Sequence, residues 1–85
     1  MKITFTEEAM SEYIEWQSKD KKTLKRINEL IKDIQRNGLL NGIGKPELLK
    51  HRKLYSRRID EYNRLVYNGN IENLEIISCK GHYEE

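Results

Sequence analysis

Several residues in this 85-residue chain are of types that do chemistry. The stretch Ser56-Arg57-Arg58-Ile59-Asp60-Glu61-Tyr62-Asn63-Arg64-Leu65-Val66-Tyr67 carries three arginines on two short β-type segments that meet at a polar turn. Arginine suits phosphate better than lysine does, because its planar fork stays charged and gives paired hydrogen bonds. Glu47 and Lys50 follow a glycine-rich loop, and His82-Tyr83 lie beyond the final apolar run. With Arg58 and Arg64 of the hairpin they form a set that could converge at one end of a sheet. None is a specific motif alone. A glutamate after a proline is ordinarily a solvated helix start, a histidine near a chain end is ordinarily idle, and either arginine would serve as a plain surface charge.

The elements that must position these residues follow from periodicity. Lys2 to Phe5 alternates polar and apolar and reads as a strand. Thr6 is placed to cap a helix over about 7–17, with Glu7 and Glu8 in the first turn near the positive end of the dipole. Ala9, Tyr13 and Trp16 recur at helical spacing, with Met10 and Ile14 broadening the stripe, so both large aromatics read as core and not as base-stacking platforms. Asp20 or Ser18 caps a second helix, in which Leu24, Ile27, Ile31 and Ile34 fall at steps of three and four and Lys25 stands at pairing distance from Glu29. Asn37-Gly38 ends it. Residues 38–46 hold three glycines and the single proline and read as a flexible loop at which a substrate could enter.

Residues 47–51 are too few to assign between strand and helical turn. Leu54 to Asp60 and Asn63 to Tyr67 then form the arginine hairpin. Asn68-Gly69 is a two-residue turn signal, and Ile71 to Cys79 should return antiparallel. If the arginine hairpin turned on two residues, Arg58 would stand opposite Leu65 and Arg64 would face the other way. A phosphate site shared by both therefore needs an odd-length loop or a bulge. The expected fold class is α+β: an N-terminal strand and two antiparallel helices packed on a mainly antiparallel sheet of four to five strands, all in one domain.

Composition narrows the setting. The chain is 36% hydrophobic and 35% charged, with no apolar run long enough to span a membrane. A cytoplasmic protein is the simplest expectation. The lone Cys79 cannot form an internal disulfide and reads as a small core residue; no Cys/His grouping has zinc spacing, and no cofactor is implied. The net charge of +2 hides an uneven distribution: residues 1–18 carry −3, 19–36 carry +4, 45–64 carry +4 and 65–85 carry −3. Two basic blocks between acidic ends favour a polyanionic partner on one side of the molecule.

Taken in order, the residues resemble a known family. Trp16-Gln17, Lys25-Arg26-Ile27-Asn28-Glu29-Leu30-Ile31-Lys32-Asp33, Gly44-Lys45-Pro46-Glu47, Leu49-Lys50-His51, Tyr55-Ser56-Arg57-Arg58-Ile59, Arg64-Leu65-Val66-Tyr67 and His82-Tyr83 are similar to the YoeB/Txe toxins of the RelE/ParE superfamily. The resemblance spans nearly the whole chain. It implies the toxin of a bacterial toxin–antitoxin pair, entering the ribosomal A site and cutting mRNA there. By motif it makes Glu47 the general base, Arg64 the holder of the scissile phosphate and His82 the general acid, with Lys50, Arg58 and Tyr83 in support. It further implies a cognate antitoxin with an acidic, partly disordered segment, and a toxin homodimer.

The chemistry suits these residue types without a metal. Cleaving RNA through its own 2′-hydroxyl needs a base for that proton, fixed positive charge where the phosphorane's charge grows, and an acid for the departing 5′-oxygen. Histidine titrates near about 6.5 and suits the acid; glutamate, near about 4.3, is a weak base. The isolated protein should therefore react slowly, a large partner supplying rate by positioning. Two other readings stay open: a ParE-like inhibitor of DNA gyrase, and a small basic RNA-binding or regulatory module.

Overall fold

In the computed structural model, residues 1–50 and 53–82 are described. The order is β1 (Lys2–Phe5), α1 (Glu7–Lys19), α2 (Lys21–Asn37), β2 (Glu47–Leu48), β3 (Tyr55–Arg58), β4 (Arg64–Gly69) and β5 (Asn73–Ser78). Among the described residues these strands form one sheet in the order β1-β5-β4-β3-β2, with every pairing antiparallel except that of β1 with β5. The α+β expectation holds.

The two helices turn about one residue. Asp20 closes α1 with its backbone N–H on the Trp16 carbonyl and caps α2 by accepting from the N–H groups of Lys22 and Thr23. Tyr13 Oη donates to Asn28 Oδ1 at 2.7 Å and ties the helices together midway along. From α2, Ile27, Leu30, Ile31 and Ile34 are buried against Leu65, Tyr67, Leu74 and Ile76 of the sheet. The face that α1 buries is narrower than expected. Ala9, Tyr13 and Trp16 pack on the core, but Met10 and Ile14 stay 41% and 55% exposed. Each lies one residue on from a core position, which turns it about 100° round the helix. Lys25 and Glu29 do not pair; Glu29 meets Arg26 instead, three residues away on the helix surface at 3.7 Å.

Thr6 caps α1 as its position foretold, accepting from Ala9 N–H at 3.1 Å. The same hydroxyl donates to the Ile77 carbonyl at 2.9 Å. Ile77 is the extra residue of a bulge: Val66 stands opposite Ser78, and the next residue, Tyr67, stands opposite Ile76.

Two turns differ from expectation. Asn68-Gly69 does not turn; both residues extend β4, and the reversal comes at 70–72, where Asn70 Oδ1 accepts from the N–H groups of Glu72 and Asn73. Gly69 is needed for close approach, since a Cβ there would collide with the Asn73 carbonyl. The arginine hairpin turns over residues 59–63, five residues in length, with Asp60 Oδ1 taking the N–H groups of Tyr62 and Asn63 at 2.7 and 2.8 Å. That odd length sets Arg58 directly opposite Arg64.

Residues 38–43 of the glycine-rich segment are pinned to the scaffold from within, although residues 40–43 stay exposed. Arg57, the middle residue of the arginine stretch, faces inward and is fully buried. Its guanidinium donates to Asp33 at 2.5 Å and to the carbonyls of Ile43, Gly38 and Asn41 at 2.7–2.9 Å, while Nε donates to Tyr67 Oη at 3.0 Å. Tyr67 Oη in turn donates to the Leu39 carbonyl at 2.6 Å. One arginine thereby fastens residues 38–43 to the sheet, and of the three in the hairpin stretch Arg58 and Arg64 are left on the other face.

Candidate functional site

Strand alternation decides which side chains meet. In the β2–β3–β4 register Glu47 is opposite Ser56, Ser56 is opposite Val66 and Arg58 is opposite Arg64, so these residues share a face. Arg57, Leu65 and Tyr67 take the helix side.

At the centre of that face Arg64 Nη1 donates to Glu47 Oε1 at 2.9 Å and to Ser56 Oγ at 2.8 Å. Ser56 Oγ lies 3.4 Å from the same Glu47 oxygen. The side chain of Arg64 is 19% exposed and that of Glu47 is 52% exposed, so the carboxylate opens to solvent while the guanidinium is held down on the sheet. Glu47 stands on a strand of two residues at the edge, followed by the exposed Lys50 in a turn. Arg58 is exposed at the end of β3. Beside it a shallow cleft of about 330 Å³ is lined by Arg26 of α2 and by Lys45, Arg58, Asp60 and Glu61 among others, and not by Glu47.

His82 reaches this neighbourhood through the backbone. Arg64 N–H donates to the Gly81 carbonyl at 3.1 Å, and Gly81 N–H donates to Asn63 Oδ1 at 2.8 Å. The imidazole is exposed, with Nε2 3.3 Å from the Glu61 carbonyl, and it makes no described bond to Glu47 or Arg64. Tyr83 lies outside the described residues. The structure thus joins Glu47 and Arg64 directly, sets Arg58 across from Arg64, brings His82 within one residue of an Arg64 backbone contact, and leaves Lys50 exposed in the turn after β2.

Helix α1 secures the approach to that tail. Trp16 Nε1 donates to the Cys79 carbonyl at 2.8 Å, Glu12 Oε1 accepts from Cys79 N–H at 2.7 Å, and Lys80 pairs with Glu15. Partial burial of Glu12 pushes its carboxyl above the ordinary range, against the lowering effect of the Cys79 N–H. The bonds from Lys80 and then Lys19 hold the Glu15 carboxyl below it. Cys79 is buried, as expected for a core residue, and burial pushes its thiol up to about 12. Trp16 therefore does more than fill core: its indole N–H fixes the chain leading to His82.

Sequence reasoning did not find Ser56 or Asn63. Ser56 shares a strand face with Arg58, so alternation alone carries the signal for it; its contact with Arg64 depends on the loop length. Asn63 read only as a turn residue.

Known proteins agree with this arrangement. The model of the YoeB-like toxin of bacterial type II toxin–antitoxin systems matches residues 5–83. Toxin YoeB of Escherichia coli strain K12 is 47% identical over 85 residues, spanning 98% of this chain and all of that protein. Among solved structures, the YoeB dimer from Staphylococcus aureus superposes with a TM-score of 0.92 at 50% identity, covering 98% of each chain. The toxin in the heterotetrameric YoeB–YefM complex from the same organism gives 0.90 at 50% identity, again with 98% of each chain covered. A helical hairpin on a five-stranded sheet with an arginine-bearing open face is thus a toxin domain of the RelE/ParE type. Within that class, the chain belongs to the YoeB-like toxins of bacterial type II toxin–antitoxin systems.

Proposed function

We propose that this toxin is a ribosome-dependent endoribonuclease that cuts mRNA in the A site, with Glu47 as general base, Arg64 on the scissile phosphate and His82 as general acid. The observation that carries the reading is the meeting of Glu47 with Arg64 at 2.9 Å, with Arg58 directly across the strand pair. A carboxylate and two guanidiniums on one face can take a proton from a 2′-hydroxyl while the phosphate beside it is held and neutralised. The 2′-oxygen forms a new bond to phosphorus, the bond to the 5′-oxygen breaks, and that oxygen leaves with a proton from His82. The products are a 2′,3′-cyclic phosphate and a 5′-hydroxyl.

In the free protein Arg64 is engaged by the base itself, so an incoming phosphate exchanges one carboxylate partner for another anion. His82 must turn from the Glu61 carbonyl toward the leaving oxygen. Both adjustments favour slow chemistry off the ribosome and faster chemistry when a large partner fixes the RNA. Lys50, Arg58 and Tyr83 support the phosphate and the flanking nucleotides. The setting is the cytoplasm, where a cognate antitoxin covers the basic face with an acidic segment, as toxin and antitoxin associate in the staphylococcal YoeB–YefM complex, and the toxin pairs with itself as in the staphylococcal YoeB dimer.

The test is to incubate the protein with programmed ribosomes and map mRNA ends. The parent should cut at the A site, and Glu47→Ala, Arg64→Ala and His82→Ala should each cut far more slowly. Equal cutting by all three variants defeats the assignment. No cutting by the parent points to action on gyrase or to RNA binding without cleavage.

A further inference from the structure

We propose that Ser56 is a positioning residue for the base, holding Glu47 in place once the substrate phosphate has drawn Arg64 away; this rests on Glu47 acting as the base. Ser56 is fully buried in the middle of β3, where an alanine would pack without needing polar partners. A buried hydroxyl is costly unless bonded, and among the described residues this one is bonded only to the site. Its strand neighbour on one side is Glu47, and on the other side Arg64 lies diagonally, two residues before Val66. The Glu47–Arg64 ion pair therefore crosses β3 over Ser56.

The hydroxyl has one hydrogen and two lone pairs. A lone pair takes the Arg64 Nη1–H at 2.8 Å, which leaves the hydrogen for Glu47 Oε1 at 3.4 Å. While the ion pair stands, that oxygen has two donors, and the guanidinium is the stronger. When the phosphate takes the guanidinium, Ser56 is the described donor left to Glu47. The carboxylate sits on a two-residue edge strand and is half exposed, so without that donor it swings into solvent and loses its aim at the 2′-hydroxyl.

The experiment measures single-turnover mRNA cleavage on programmed ribosomes, together with affinity for those ribosomes, for the parent, Ser56→Ala, Glu47→Ala and the double variant. Ser56→Ala should cut about 10- to 100-fold more slowly with unchanged affinity. In the Glu47→Ala background it should cost nothing further, because its effect runs through that carboxylate. A thermal melt establishes that each variant is folded. Where Ser56→Ala does not fold, Ser56→Cys takes its place in the cycle, being close in size with a weak donor. Parental cleavage by the serine variant, or an undiminished loss in the Glu47→Ala background, overturns the proposal while leaving the base intact. Parental cleavage by Glu47→Ala overturns the base reading itself, and this inference with it.

Discussion

Removing the Asp33 carboxylate with Asp33→Ala should destabilise the protein severely, because among the described residues it strips the only anion from a fully buried guanidinium. Asp33 takes Arg57 Nη1 at 2.5 Å, Ile43 N–H at 3.0 Å and Asn37 Nδ2 at 2.8 Å. The Arg57 side chain has no exposure and that of Asp33 has 11%. Breaking one side of a buried ion pair costs roughly 3–5 kcal/mol. Here the lower end applies, since three backbone carbonyls and Tyr67 Oη still accept from Arg57 and spread its charge. A loss of about 3 kcal/mol is large for a domain of this size, whose whole stability is on the order of 4–13 kcal/mol. It corresponds to a fall in Tm of roughly 12–24 °C. The assay is urea and thermal unfolding followed by circular dichroism, with Glu29→Ala as the control. That control removes an exposed pair with Arg26 and should shift stability by less than about 0.5 kcal/mol. If Asp33→Ala unfolds within about 1 kcal/mol of the parent, Arg57 is held by its carbonyl partners alone and the ion pair is incidental.

Acid should reproduce the same loss. Burial works to raise the Asp33 carboxyl, but bonds from Ile43 N–H, Arg57 and Asn37 outweigh it and hold the group below the ordinary range. A lowered folded-state pKa gives stability that is whole above the unfolded value, about 3.9, and is lost as pH falls through the lower folded value. Unfolding midpoints measured downward from pH 5 should fall less steeply for Asp33→Ala than for the parent, and identical slopes would count against this source. Gly42→Ala should cost more than about 1 kcal/mol, because φ is +117° and the added Cβ meets the Asp33 carboxylate; a chemical melt at parental midpoint would contradict it. Cys79 should resist iodoacetamide at pH 8 in the native protein and react once unfolded, since its thiol is buried and titrates near about 12. Modification of the native protein at the unfolded rate would show that β5 opens freely.

What the sequence disclosed was whatever depends on local pattern. The spacing of Leu24, Ile27, Ile31 and Ile34 marked the apolar stripe of α2, of which all but the half-buried Leu24 is buried, and Thr6 and Asp20 marked the helix starts, because capping and periodicity act within a turn or two. Faces set by distant packing were less visible. Met10 and Ile14 are apolar at plausible positions, but each is turned about 100° round α1 from a core residue and stays exposed. Asn68-Gly69 has the composition of a tight turn, yet its glycine answers to the neighbouring backbone, and Asn70 makes the reversal. Arg57 and Arg58 look alike in sequence, and one step of strand alternation sends the first into the core and the second to the open face. For the site, the types Glu47, Arg58 and Arg64 stood out, while Ser56 did not, because a serine acquires meaning only when register sets it between a carboxylate and a guanidinium.

The pairing of β1 with β5 also sets a schedule. The ribosome makes β1 first, but its partner is the last of these strands to emerge, and the Thr6–Ile77 bond that locks them spans 71 positions. Contacts this distant form late, because a long loop must be closed before they return anything. A growing chain that has reached β4 already holds Glu47, Ser56 and Arg64, yet Arg64 N–H lacks the Gly81 carbonyl and Trp16 lacks the carbonyl of Cys79. The face that carries Glu47, Ser56 and Arg64 thus stays without its last supports until residues 79–82 have been made.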